Sequence, residues 1–269
     1  MNRARQACLL SGLLLSGAAS AQIDTLIGGA VTPLTFSSRY ALSAANAANL
    51  GFVSDPAGSG RTVLSTAVNG AEGEVGAIKR TDFHPLGEAL ATGVRWYGIS
   101  VYVPNSWVVH PNPAVIAQID SAATASGLGA PLSLLVRGGG LELNLVSNHL
   151  AAGATASNSA REIIKLGALV TNRWYCLVVR SDWQTTLGSG AITMWMNGEK
   201  VYNASNSTNS YFGAAQTPRA GLMFPGLMGV TERTLYTDFI RLGGPTTTAL
   251  QMYQISPCSS FVNGSNIQW

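Results

Sequence analysis

Three short segments gather side chains that can do chemistry: Arg80-Thr81-Asp82-Phe83-His84, Val115-Ile116-Ala117-Gln118-Ile119-Asp120, and Pro218-Arg219-Ala220-Gly221-Leu222-Met223. Each reads as extended chain, in which residues i, i+2 and i+4 point the same way. Arg80, Asp82 and His84 then share one face, Gln118 and Asp120 a second, and Arg219, Gly221 and Met223 a third. The guanidinium forks of Arg80 and Arg219 match a carboxylate in a way that lysine cannot. Gln118 can donate to the same ligand. His84 titrates near neutrality and suits proton transfer. Asp120 serves as a base only if burial or a like charge raises its pKa.

Each of these residues also has an ordinary use. Arg80 can pair with Asp82, and Gln118 can bond a nearby backbone group. Arg219, after Pro218, reads equally as a surface arginine. His84, beside Pro85, reads as an exposed loop residue. Tyr211 precedes the third segment and offers a phenol, or a packing ring. Glu142 and Asn144 alternate with Leu141, Leu143 and Leu145, so that strand has one polar face, which either floors a binding groove or faces water.

The elements that must position these groups are strands. Short β-branched and aromatic runs, separated by Gly, Ser, Asn and Thr, predict an all-β sandwich. The clearest runs are Thr62–Val68, Val94–Val103, Ala114–Ile119, Leu132–Arg137, Leu141–Val146, Trp174–Arg180, Ala191–Met196, Gly221–Phe224 and Thr234–Leu242. Gly138-Gly139-Gly140 predicts a tight hairpin. Asn197-Gly198 predicts a primed turn, where both central residues take positive φ. Ala41–Ala48 suggests a short helix. Asn148–Ser159 and Ser205–Ser210 read as polar loops.

The chain has 269 residues. Its start, with Arg3, Arg5, a Leu-rich stretch to Ala18 and Ala19-Ser20-Ala21, reads as a signal peptide cleaved after Ala21. The expected product is secreted or periplasmic, with 22–269 as one domain. The formal charge of +3 loses two with Arg3 and Arg5, leaving +1. That excludes a broad polycationic surface, and neither a nucleic-acid nor a membrane partner is expected. Cys176 and Cys258 remain after cleavage, either as one disulfide pinning the tail or as two buried thiols. His84, His110 and His149 lack ligand spacing, and no nucleophile elbow or phosphate loop occurs. No cofactor and no metal site are expected, although a structural Ca²⁺ in a loop stays open.

Eight segments recur in a recognisable order. They are "DPAGSGRTVL" at 55–64, "KRTDF" at 79–83, "RWYGISVYVP" at 95–104, "VIAQID" at 115–120, "PLSLLVRGGGLELNL" at 131–145, "RWYCLVVRSDW" at 173–183, "GAITMWMNGEKV" at 190–201 and "LYTDFIRLG" at 235–243. This order resembles the heparin-lyase-I-like and glucuronan-lyase-like polysaccharide lyases. The resemblance implies a concanavalin A-like β-jelly roll that cleaves a uronic-acid polymer by β-elimination. It also implies an acidic polysaccharide as partner and, we expect, a monomer. Members commonly read Arg-Ala-Glu-Leu where this chain has Arg80-Thr81-Asp82-Phe83. They end a strand in Gln-Trp-His where it has Gln118-Ile119-Asp120. They carry Lys-x-Gly-x-Tyr where it has Arg219-Ala220-Gly221-Leu222-Met223. Asp120 and Met223 thus stand at the family's His and Tyr positions.

The resemblance points to Arg80, Gln118 and Asp120 as catalytic and to Asp82 and Arg219 as substrate-binding; the reading of the residues themselves adds His84 to the catalytic set and Asn144 and Tyr211 to the substrate-binding set. Trp96, Trp174, Trp183 and Trp195 match its aromatics; most are expected in the core and one on a sugar-binding face. Two other functions stay open. One is a carbohydrate-binding jelly roll without catalysis. The other is a glycoside hydrolase, which needs two carboxylates about 5–5.5 Å or about 6.5–9.5 Å apart, drawn from Asp82, Asp120 and Glu142.

Overall fold

The computed structural model describes residues 23–25, 32–121 and 127–261. The expected signal peptide therefore lies outside the described residues. In chain order the strands are β1 (Ile23–Thr25), β2 (Tyr40–Ala44), β3 (Leu50–Ser54), β4 (Thr62–Asn69), β5 (Lys79–Pro85), β6 (Gly93–Val103), β7 (Ala114–Ser121) and β8 (Leu132–Arg137). They continue as β9 (Gly140–Ser147), β10 (Ala160–Ala168), β11 (Arg173–Trp183), β12 (Gly190–Met196), β13 (Glu199–Ser207), β14 (Gln216–Phe224) and β15 (Glu232–Gly243). Two short helices, α1 (Pro33–Arg39) and α2 (Ala249–Tyr253), flank the strands.

The strands form two antiparallel sheets packed as a jelly-roll sandwich. One runs β13-β12-β11-β6-β15-β4-β3, with β1 on β15; the other runs β10-β9-β8-β7-β14-β5-β2. Their inner faces make the core. Phe83, Ala117, Ile119, Leu132, Leu134, Leu143, Ala220 and Leu222 come from the seven-stranded sheet, and Leu64, Tyr97, Ile99, Val101, Leu177, Val179 and Ile240 from the other. The period of two sends the intervening residues outward.

What covers the two outer faces differs, and this locates the site. The outer face of the eight-stranded sheet is apolar, with Trp96, Val178, Trp195 and Phe239. The C-terminal tail covers it: Ala249, Met252 and Tyr253 of α2 pack there, and Cys258 joins Cys176 in a disulfide with Cα atoms 5.8 Å apart. Thr248 caps α2 through a capping box, and Tyr253 Oη donates to the Cys176 carbonyl at 3.2 Å. The outer face of the seven-stranded sheet is polar instead.

Both predicted turns occur. Arg137 pairs with Gly140 around Gly138 and Gly139, at φ +54° and +78°, and Met196 pairs with Glu199 around Asn197 and Gly198, at φ +52° and +86°. The helix suggested over Ala41–Ala48 is corrected: Tyr40–Ala44 is strand β2, paired with β5 from Tyr40↔Pro85 to Ala44↔Thr81. A hydrogen-bonded neighbour outweighs weak local propensity here. Strand β10 was not foreseen, and β13 takes in Ser205–Ser207 of the expected loop.

All four tryptophans expected to split between core and sugar face lie with the eight-stranded sheet. Trp96 stacks on Trp195 beneath the tail, Trp174 packs edge-on to Tyr102, and Trp183 donates to Tyr97 Oη at 2.7 Å. None stands on the polar face.

Candidate active site

Strand pairing brings the three chemistry-bearing segments side by side. In β5 and β14, Asp82 pairs with Gly221 and Arg80 with Met223; in β14 and β7, Arg219 pairs with Gln118 and Thr217 with Asp120. All their polar side chains fall on the outer face of the seven-stranded sheet, since Phe83, Ala220 and Ile119 point inward. Next along this line, Gln118 pairs with Ser133 of β8, and Ser133 with Asn144 of β9.

A β-bulge sharpens this arrangement. The β14–β7 register slips between Ala220 and Met223, and Gly221 sits at φ +123°. A Cβ there would lie 2.5 Å from the Thr81 carbonyl oxygen and 2.7 Å from Asp82 Cα. Only glycine lets β14 approach β5 this closely while the bulge re-aims its neighbours.

Charge pairing organises the centre. Asp82, fully buried, accepts a fork from Arg80, with Nε at 2.5 Å and Nη2 at 2.8 Å. Arg219 Nη1 donates to the same carboxylate at 3.0 Å. Arg219 Nε lies 2.6 Å from Asp120 Oδ2, a charge contact whose N–H is not aimed at the oxygen. Asp120 Oδ1 accepts from the Ser121 N–H at 2.9 Å. The expectation that Arg80 presents its fork to a ligand is corrected in this respect, because Asp82 occupies that edge. Arg80 Nη1 and Arg219 Nη2 stay outside these bonds, and the two side chains are 15% and 16% exposed.

His84 belongs to this cluster and is not a loop residue. It is the penultimate residue of β5, and the charges of Arg219, Asp82, Asp120 and Arg80 all act on it. Burial, foremost, and the Arg219 guanidinium hold its pKa below 6.5. It is therefore neutral at pH 7. Its buried Nδ1 has no hydrogen-bond partner. Gln118 is 7% exposed, and its side-chain amide makes no hydrogen bond among the described residues. Asn144 Oδ1 is likewise buried and unpartnered.

Tyr211 does not supply a phenol. It is 2% exposed and packs on Leu128 and Val146. Its hydroxyl donates its one proton to the pair of carbonyls at 2.6 Å (Leu128) and 3.0 Å (Gly129), so that the proton is already engaged. Burial pushes its pKa up to about 12. Met223 is equally unable to move a proton; it packs with Val115 and Leu135, and Arg80 Nη2 lies 3.7 Å from its sulfur. Glu142 lies 3.7 Å from Arg137 Nε. Ser133, 6% exposed between Gln118 and Asn144, is a member of the row that the sequence reading missed; its alternation with Leu132 and Leu134 was the available signal. Among the described residues no three His, Cys, Asp or Glu side chains gather as metal ligands. A mostly apolar cavity of about 520 Å³, lined by Leu145, Leu187, Ile192 and Tyr202, lies elsewhere, at the edge between the sheets.

Comparison with known proteins shows the family and the fold. A family model described as polysaccharide lyase matches residues 28–241. The endo-β-1,4-glucuronan lyase of the fungus Trichoderma reesei superposes with a TM-score of 0.59 at 17% identity, over 72% of this chain and 86% of that one. The family 7 alginate lyase A1-II′ gives 0.53 at 10% identity, over 76% and 94%. The alginate lyase AlyC3 gives 0.52 at 9%, over 81% and 95%. At these identities the structural likeness carries the fold alone. No curated protein matches the chain.

Proposed function

Since this chain belongs to the polysaccharide lyase family, we propose that it is an exported lyase that cleaves a uronic-acid polymer by β-elimination, with His84 as the base. The observation that carries this reading is the neutral, half-buried imidazole of His84, under the charges of Arg219 and Arg80 and on the same sheet face as the Gln118 side chain. The substrate is an acidic chain of the glucuronan or alginate type. No helix among the described residues is long and apolar enough to cross a membrane, and the N-terminal signal directs the chain out of the cytoplasm.

Arg80 Nη1, Arg219 Nη2 and the Gln118 amide receive the uronate carboxylate and disperse the charge that builds as C5 loses its proton. The neutral His84 imidazole takes that proton. The C5 electron pair forms the C4=C5 double bond, the C4–O4 bond breaks, and O4 leaves with a proton from the imidazolium or from water. Asp82 fixes both guanidinium groups in place. Asp120, held by Arg219 and the Ser121 N–H, orients rather than abstracts.

A second reading, a binding protein without catalysis, is favoured by one fact: Met223 and the sealed Tyr211 leave the cluster without a phenol. Mass spectrometry of products from glucuronan and alginate separates the two. Elimination yields oligosaccharides lighter by one water than hydrolysis products. Retention on the polymers in affinity electrophoresis without any cleavage identifies the binding protein.

A further inference from the structure

The polar row does not end at the candidate base. Strand β10 is the edge of the seven-stranded sheet and pairs with β9, placing Arg161 opposite Val146, Ile163 opposite Asn144 and Lys165 opposite Glu142. Ile164 and Leu166 turn to the core, and Glu162 turns inward to accept the Tyr202 hydroxyl at 2.6 Å. Arg161, Ile163 and Lys165 therefore lie on the outer face, Ile163 in line with Asn144, Ser133, Gln118 and Arg219 and the two cations flanking that line on either side. Arg161 also borders the cavity at the sheet edge.

Charge balance singles out this strand. Arg80 and Arg219 are compensated by Asp82 and Asp120, and Arg137 faces Glu142. Arg161 and Lys165 make no ion pair among the described residues, and both are exposed. The uncompensated positive charge of the face thus sits at its β10 end. Edge strands carry lysine to block pairing with another chain, but that purpose does not require both cations on the same side as the polar row. Nor does it explain Ile163, 47% exposed between them, or the unpartnered Asn144 Oδ1 below.

We propose that Arg161 and Lys165, with Asn144 beside them, form a distal subsite for a second uronate carboxylate of the same polymer chain. The inference rests on the lyase reading and specifies how the substrate lies: across the strands, from β5 to β10. From β14 to β10 is four inter-strand steps, about 19 Å at the usual strand spacing. One sugar cannot reach both ends. The enzyme therefore holds several residues of the polymer at once.

The test uses uronic-acid oligosaccharides of defined length, from two residues to about ten. KM and the early product-size distribution are measured for the wild-type protein, Arg161→Ala/Lys165→Ala and, as a control on the other sheet, Lys200→Ala. Isothermal titration with the His84→Ala protein reads binding alone. The expected result is a KM that falls with length in the wild type and control. In the double variant it rises about tenfold for the longest substrates but far less for the shortest, with a weaker salt dependence. An equal gain with length in the double variant overturns the subsite and leaves the lyase reading standing. Absence of both cleavage and binding for every oligosaccharide overturns both.

Discussion

At the residue scale, the account turns on which polar groups are spent and which are left. Asp82 is fully buried and bonded to two arginines. Asp82→Ala strands two positive groups against an emptied site, and breaking such a buried pair costs about 3 kcal/mol; urea denaturation should show that loss, together with loss of activity. His84 gives a pH signature. Its folded-state pKa lies below 6.5, chiefly through burial. Between that value and 6.5 the unfolded chain holds a proton that the folded chain lacks. Stability therefore rises with pH through this window, being complete above it and reduced as pH falls. His84→Gln should flatten that dependence. In the wild type, the acid limb of kcat/KM should fall below pH 6.5; a midpoint above 6.5 would contradict a burial-depressed imidazole.

At this same scale the sequence was informative but incomplete. Alternation placed Arg80, Asp82 and His84 on one face, and Gln118 and Asp120 on another. It offered the Arg80–Asp82 pair as one alternative but could not say that Arg219 joins the same carboxylate, since that depends on β14 lying next to β5. The Tyr211 phenol read as available because the carbonyls that seal it, from Leu128 and Gly129, come from more than eighty residues away.

At the element scale, the bulge in β14 is the joint that sets Arg219 against both Asp82 and Asp120. Gly221→Ala forces a Cβ against the Thr81 carbonyl at a φ that alanine avoids. The expected cost exceeds about 1 kcal/mol, read as a lower midpoint in thermal unfolding, with activity falling further than stability alone explains. Strands with β-branched runs and Gly or Asn-Gly turns were legible locally. Strand β10 was not, because an exposed edge strand with alternating charges lacks a clean apolar face. Strand β2 was misread because its β identity comes from pairing with β5, not from its Ala- and Ser-rich residues.

At the scale of the whole molecule, the two sheets divide the labour. The tail roofs the apolar outer face of one, fastened by Cys176–Cys258, and leaves the outer face of the other, the proposed working surface, uncovered by it. Replacing both cysteines with alanine should cost about 2–4 kcal/mol and loosen the cover over Trp96 and Trp195, visible as a fluorescence change at lower denaturant. Because the tail lies on the far sheet, turnover of the folded fraction should persist.

The most direct test of the central claim is the ultraviolet absorbance of unsaturated uronide, followed with glucuronan and alginate for the wild-type and His84→Ala proteins. Rising absorbance with one polymer, lost in His84→Ala while that variant still binds the polymer, is the predicted result. No rise with either polymer, or undiminished turnover in His84→Ala, would contradict the assignment of this face as a lyase site with His84 as its base.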